Sequence, residues 1–307
     1  MIRGYWQVSR RAWDWSIQAY EDKPEARRKF KRHLRWSATA AVREAASSDW
    51  FSFLDSPEIR PFVEANPRLA FRPMGSYVSS KWGWARRAKV IRETYEFIHA
   101  QGGLLAKAMA DPAGMVLVRL PIGRGEEARV WLGFHSQFRK EGEISAFFEL
   151  GSLEDSISSF ALSLERFPGL GWTCYLGSLQ GRKGGDEEAI KAATKALHGL
   201  RPKVLMLFLA QEIARALRVR ELLGVGNDIQ VFRSRILGPR KKILFDYDAF
   251  WLEAGGSAAA EGWFSLPLKT HRRSDDEIKP NKRSLYAKRY ALMAEISRQV
   301  KTVLCPF

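Results

Sequence analysis

The sequence is short of the residues that mark most reactive or metal-bearing sites. Its two cysteines, Cys174 inside an apolar run and Cys305 near the end, provide neither a disulfide framework nor a metal-ligand spacing. Both are expected to be structural thiols. The five histidines show no pair at metal spacing, and no metal is expected. There is no Gly-x-Ser-x-Gly elbow, no Walker-type loop and no dinucleotide fingerprint, so hydrolase, NTPase, zinc-enzyme and dehydrogenase readings have no motif behind them. Long apolar runs are missing too. No stretch approaches the roughly 18 residues of a membrane span, and the opening MIRGYWQVSRRAWDW lacks the uninterrupted apolar segment of a secretory signal. Cytoplasmic residence is the expectation, with peripheral contact at the inner membrane surface as the variant of it.

Acidic charge is also scarce. Against 50 Lys and Arg stand 34 Asp and Glu, a net charge of +16, which favours partners that carry phosphate or other anionic groups. Plain solubility is the competing reading of the same excess. The charge is uneven: residues 265–307 hold ten basic and four acidic residues, whereas 141–170 hold six acidic and one basic. What the chain does have is apolar material. With 46% hydrophobic residues over 307 positions it can bury a sizeable core.

Residues 1 to about 110 read as a helical, basic region, with seven of the eleven tryptophans before residue 85. Charged helices are predicted around Ala26–Ala46 and Trp84–Gln101. Pro57, Pro61 and Pro67 make Ser56–Arg72 read as a connecting loop. The period changes near Gly114. MVLVRLPI, ARVWLGFHSQF, EISAFFELG, SISSFALSLE and GWTCYLGSLQ then carry the β-branched and aromatic residues of strands, with FRKEGE short enough for a hairpin turn. Helices follow over Asp186–Leu197 and about Lys203–Leu217, the latter with an apolar stripe of Leu205, Leu209, Ile213, Ala216 and Leu217. ELLGVG reads as a strand, DYDAFWLEAG as a short helix closed by glycine, GWFSLPL as a strand and Arg283–Val303 as a final basic helix. The succession predicts an α+β fold: a helical region over 1–110, then 111–307 as a mixed sheet covered by helices.

Seven segments carry a resemblance: EGEIS at Glu141–Ser145, LGSLQG at Leu176–Gly181, HGLRPK at His198–Lys203, GVGND at Gly224–Asp228, FDYDAFWLEAGG at Phe245–Gly256, GWFSLP at Gly262–Pro267 and KRSLYAKRY at Lys282–Tyr290. In these the chain resembles the bacterial VirK/YbjX family. Members are associated with virulence and with tolerance of cationic antimicrobial peptides, and no catalytic residues carry over from that likeness. A second, architectural resemblance is to the GCN5-related N-acyltransferase superfamily. There a strand ends in a loop whose amides hold the pyrophosphate of an acyl-CoA, and a helix bearing a tyrosine precedes the last strands. That likeness implies Gln180, Arg182, Lys183 and Gly184 as donor-binding residues and Tyr247 as the group that protonates a leaving thiolate; Tyr247 as a core aromatic beside Phe250 and Trp251 is the alternative. The phosphate-loop pattern of the superfamily is not reproduced, since Lys183 stands third after Gln180 where a glycine is usual.

The residues themselves offer two cradles for an anion. One is YLGSLQGRKGGDEE, where glycines and Arg182 and Lys183 precede a helix, but Asp186, Glu187 and Glu188 occupy the same helix start. The other is HGLRPKVLMLF, where Gly199 and Leu200 can present amides and Arg201 and Lys203 flank Pro202 at a helix start. Glu141 and Glu143, two apart at the head of a strand, would share a face if extended, and so close a pair suits a general base. His135, in the partner strand, can face them, though a lone histidine in a strand is more often a packed or solvated side chain. Asn227 and Asp228 follow a strand end, where substrate-facing polar groups are often found. Two readings follow. One is acyl or aminoacyl transfer from a phosphate-bearing donor (a CoA thioester, acyl carrier protein or charged tRNA) to an amine. The other is a non-enzymatic basic protein that binds nucleic acid, RNA or tRNA among them, or the anionic inner membrane surface through RRKFKRHLRW at Arg27–Trp36 and the final helix.

Overall fold

In a computed structural model the described residues are 2–21, 26–123, 126–151, 156–182, 186–233 and 245–305; of residues 2, 3, 26–29 and 126 only the backbone is described. The two opening helices, α1 (Ile2–Ala19) and α2 (Ala26–Val42), lie against each other, and α3 (Glu44–Leu54) follows directly. The proline-punctuated segment is not a loop. Pro61 occupies the first turn of α4 (Arg60–Ala65) and Pro67 the first turn of a 3-10 helix, Pro67–Met74. Proline is tolerated there because the missing N–H has no intrahelical acceptor. Next come α5 (Trp84–Gln101), with the bounds predicted for it, and α6 (Gly103–Ala110).

Strands β1 (Met115–Gly123), β2 (Glu126–Gly133), β3 (Ile144–Leu150), β4 (Ser158–Phe167) and β5 (Gly171–Gly181) form an antiparallel meander. Helices α7 (Glu187–Ala196) and α8 (Pro202–Ala216) then carry the chain to β6 (Glu221–Val225), which pairs parallel to β5. After α9 (Tyr247–Glu253), the two-residue β7 (Ser257–Ala258) and β8 (Trp263–Leu266) complete an eight-stranded mixed sheet in the order β1-β2-β3-β4-β5-β6-β8-β7. Helix α10 (Arg283–Leu304) packs on α8 and β1. The fold is α+β as predicted. Strand β2 is shorter than ARVWLGFHSQF implied: it ends at Gly133, which pairs with Ser145 and lies against Gly114, so that a Cβ on Gly133 would sit 3.0 Å from the Gly114 Cα. Residues 136–138 turn into a 3-10 helix instead.

One apolar core runs from Val8 through the sheet to Leu304, across the change of structure near residue 110. Helix α8 is buried almost all round, which its apolar composition beyond the predicted stripe allows. The sheet has two unlike faces. On β4, Phe160, Leu162 and Leu164 join the main core, while Ser159, Ser163 and Glu165 alternate with them and are nonetheless buried. A polar interior follows from that alternation.

Candidate functional site

The polar interior is closed by the chain between β2 and β3. Residues 141–143 are not extended; the strand begins at Ile144, and the Glu141–Gly142–Glu143 turn lies directly on β4 and β5. Two glycines permit this. In β5 the register slips between Leu176 and Ser178, making Gly177 a bulge, and a Cβ on it would lie 2.0 Å from the Glu141 carbonyl oxygen. A Cβ on Gly142 would lie 2.7 Å from the Leu162 carbonyl oxygen. The EGEIS and LGSLQG segments are therefore two halves of one contact.

That contact fixes a carboxyl group. Glu141 is 1% exposed, and its Oε1 accepts a 2.6 Å hydrogen bond from Gln180 Nε2. Burial pushes its pKa up to about 8, against the opposing effects of the Gln180 bond and the Lys140 charge. Close by, the Tyr247 hydroxyl accepts from the Leu179 N–H at 3.4 Å. Burial, and secondly the Glu141 charge, hold Tyr247 well above the ordinary tyrosine range. The β5–β6 pairing ends at Leu176 and Gly224 while β5 runs on to Gly181, so the Leu179 amide lies past the last strand-to-strand pair and meets α9 instead.

Cations gather at the end of β5. Lys203, in the first turn of α8, lies over Gly181 and places Nζ 3.5 Å from the centre of the Phe245 ring. Burial lowers its pKa. Arg182 pairs loosely with Asp186 at 3.5 Å, and its buried Nη1 has no hydrogen-bond partner among the described residues. Asp186 in turn caps α7 by accepting from the Ala189 N–H. Glu141, Gln180, Arg182, Lys203 and Tyr247 thus converge on one strand end; Lys183 and Gly184 lie outside the described residues.

Other predicted residues are engaged elsewhere. Glu143 does not share a face with Glu141, because the turn between them is not a strand. Its carboxylate lies 3.3 Å from Arg72 and accepts from Tyr95 at 2.9 Å, inside the core. The raised pKa of Glu141 therefore comes from burial, not from the paired carboxylate the sequence suggested. The Gly199 N–H donates to Thr194 and the Leu200 N–H to Leu197, so the amides of that cradle close α7 and are not open to an anion. Arg289 of α10 binds the neighbouring His198 carbonyl through two nitrogens, and Arg201 pairs with Glu253. Asn227 clamps the start of α9: its N–H reaches Asp248, its Nδ2 reaches Asp246 at 2.8 Å, and its Oδ1 accepts from the Tyr247 N–H at 2.9 Å. Asp228 is exposed. The His135 ring packs on Phe147, and its Nδ1 accepts from the Gln137 N–H.

Two buried clusters have no sign in the sequence. Glu165, 2% exposed, accepts from Tyr175 at 2.6 Å and pairs with Arg86 and Lys89. The Arg72–Glu143–Tyr95 set is the second, and its arginine sits in the segment that reads as a loop. In the acidic island of 141–170, Glu141, Glu143 and Glu165 are thus interior, and the last two are answered by cations from the helical region, which no local pattern encodes.

Among known proteins, residues 25–302 match the family described as "Protein of unknown function (DUF535)". The chain is 27% identical over 281 residues to the uncharacterized protein YbjX of Escherichia coli K12, covering 90% of this chain and 84% of that one. It is also 35% identical over 128 residues to an uncharacterized protein of Haemophilus influenzae, 41% of this chain and 42% of that one. No solved structure matches the chain.

Proposed function

The chain belongs to the VirK/YbjX family, and for this member we propose acyl transfer from a phosphate-bearing donor to an amine, at the strand end where Glu141, Tyr247 and Lys203 meet. The observation that carries the reading is the Glu141 carboxyl group, raised to about 8 and held by Gln180 beside the Tyr247 hydroxyl, at the point where β5 and β6 stop pairing. A base with that pKa is matched to taking a proton from an ammonium or an attacking amine. The thioester carbonyl would lie in the gap beyond Leu176 and Gly224, its oxygen taking over the Leu179 N–H from the Tyr247 hydroxyl, which this long 3.4 Å bond holds only weakly. The amine nitrogen forms the new bond to the carbonyl carbon and gives its proton to Glu141. The carbon–sulfur bond breaks, and the thiolate takes its proton from Tyr247. Lys203 and Arg182 stand where the donor's phosphates would be held.

The parallel β5–β6 pair, the bulge and the tyrosine-bearing α9 support the likeness to N-acyltransferases. The test is thiol release and product mass with acetyl- and palmitoyl-CoA and a panel of amines. Glu141→Gln should lower turnover by about 100-fold or more, Tyr247→Phe by about 10-fold, and Lys203→Ala should mainly weaken donor binding. Turnover no faster than the protein-free background with every donor, together with unaltered donor affinity in Lys203→Ala, would remove the proposal.

A further inference from the structure

Three separate segments, one of them ending just before Glu141, bring cations to one hollow. Arg32 and Arg35, three apart on α2, come from the basic stretch RRKFKRHLRW. Arg68 and Arg72 come from the Pro67–Met74 helix, and Arg139 and Lys140 from the chain between β2 and β3. The cavity measures about 420 Å³, and none of the described residues lining it is acidic. A volume of that size is that of a small-molecule site.

The aromatic residues of the hollow are scaffolding for these guanidiniums. Phe71 stacks on Trp36 with centroids 5.0 Å apart and on Tyr20 at 6.3 Å. Arg32 lies 4.3 Å over the Tyr20 ring and Arg35 5.2 Å over the Trp36 ring. The rings therefore orient cations, and those ring faces are not available to a nucleobase. At the back of the cavity, Arg72 is 6% exposed, donates through Nη1 to the Arg139 carbonyl, and keeps a buried Nη2 with no hydrogen-bond partner among the described residues. The Trp36 Nε1 is likewise buried and has no hydrogen-bond partner among the described residues. Burial, and then the charges of Arg72 and Arg68, push the Arg139 guanidinium below its ordinary range. Glu143 answers Arg72 from the interior, but no acidic side chain among the described residues lines the hollow itself, and cations so placed gain from an anion that joins them.

We infer that this cavity binds a compact soluble ligand carrying at least two phosphate groups. Guanidinium forks match phosphate oxygens in pairs, and several forks around one hollow call for a ligand of high negative charge density more than for a carboxylate. The recess of Arg72 favours a discrete molecule that can enter over the flat surface of a bilayer. The inference does not rest on the proposed acyl transfer and stands on binding alone.

The test uses the full chain with inorganic pyrophosphate, orthophosphate and citrate, read by calorimetry and by thermal shift. Pyrophosphate should bind about 10-fold or more tightly than the other two. Arg32→Gln with Arg35→Gln, both on an accessible helix face, should weaken it about 10-fold, while Arg218→Gln with Lys301→Gln, in a separate hollow between α8 and α10, should leave it within about two-fold. Equal weakening in both pairs would reduce the effect to net charge and overturn the inference, as would no response to about 10 mM pyrophosphate. Vesicles of phosphatidylcholine and phosphatidic acid should bind the wild type and the α2 pair variant alike; about a ten-fold preference for the wild type would make the ligand a membrane headgroup and overturn the soluble assignment. If the α2 variant does not fold, phenylglyoxal labelling of the wild type serves instead. Pyrophosphate should protect Arg32, Arg35 and Arg139, and unprotected labelling of all three would overturn the inference.

Discussion

Glu141 is the residue on which both stability and the proposed chemistry turn. Its pKa lies near 8 in the folded chain against an ordinary 4.5. As pH rises from about 4.5 the unfolded chain loses this proton first, so the folded state is progressively destabilised until about pH 8 and evenly thereafter. Glu141→Gln removes the titration but keeps an acceptor for Gln180. The variant should be more stable than the wild type by on the order of 4 kcal/mol at pH 8, with the gap closing near pH 4. Urea unfolding at the two pH values checks this, and parallel pH profiles would contradict it. Gly177 is the residue that lets Glu141 sit there. Gly177→Ala forces a Cβ onto a backbone oxygen, which cannot swing aside as a side chain would, and should cost about 3 kcal/mol.

At the scale of elements, α9 shows how a family-like motif can be architecture. Seven residues are too few to stay helical alone. The helix is held by Asn227 and Asp246 at its start and by Trp251, whose Nε1 donates to the Val225 carbonyl while its ring lies over Gly224. Asn227→Ala should cost about 2 kcal/mol and speed hydrogen exchange over 247–253. Lost activity with unchanged exchange would instead make Asn227 a substrate contact. The Pro67–Met74 helix is joined to the sheet by a buried ion pair. Glu143→Ala leaves the Arg72 charge without its carboxylate and should destabilise by about 3–5 kcal/mol in denaturant titrations.

For the whole molecule, an excess of +16 charges works against compactness. Raising salt from about 0.05 to 0.5 M should lift the melting temperature by roughly 2–5 °C, since screening relieves self-repulsion more than it weakens the buried pairs. A falling melting temperature would mean that surface ion pairs dominate. The charge is legible as a total but not as a map. RRKFKRHLRW announces a basic helix, yet what makes Arg32 and Arg35 part of a cavity is their meeting with Arg72 and Arg139, 40 and 107 positions beyond Arg32 in the numbering. No helix among the described residues is long and apolar enough to cross a membrane.

The sequence by itself determined the order of elements, because apolar period and turn residues act within a few positions: α5, the five-strand meander, α8 and α10 all lie close to where their patterns place them. It also held the glycines that bring Glu141 onto β5, though not the reason for them. Only the tertiary structure decided which carboxylates are interior, which amides remain open and which arginines face one another. Those properties arise from contacts between segments far apart in the chain, where burial and neighbouring charge set the chemistry of a side chain that its local sequence leaves undefined.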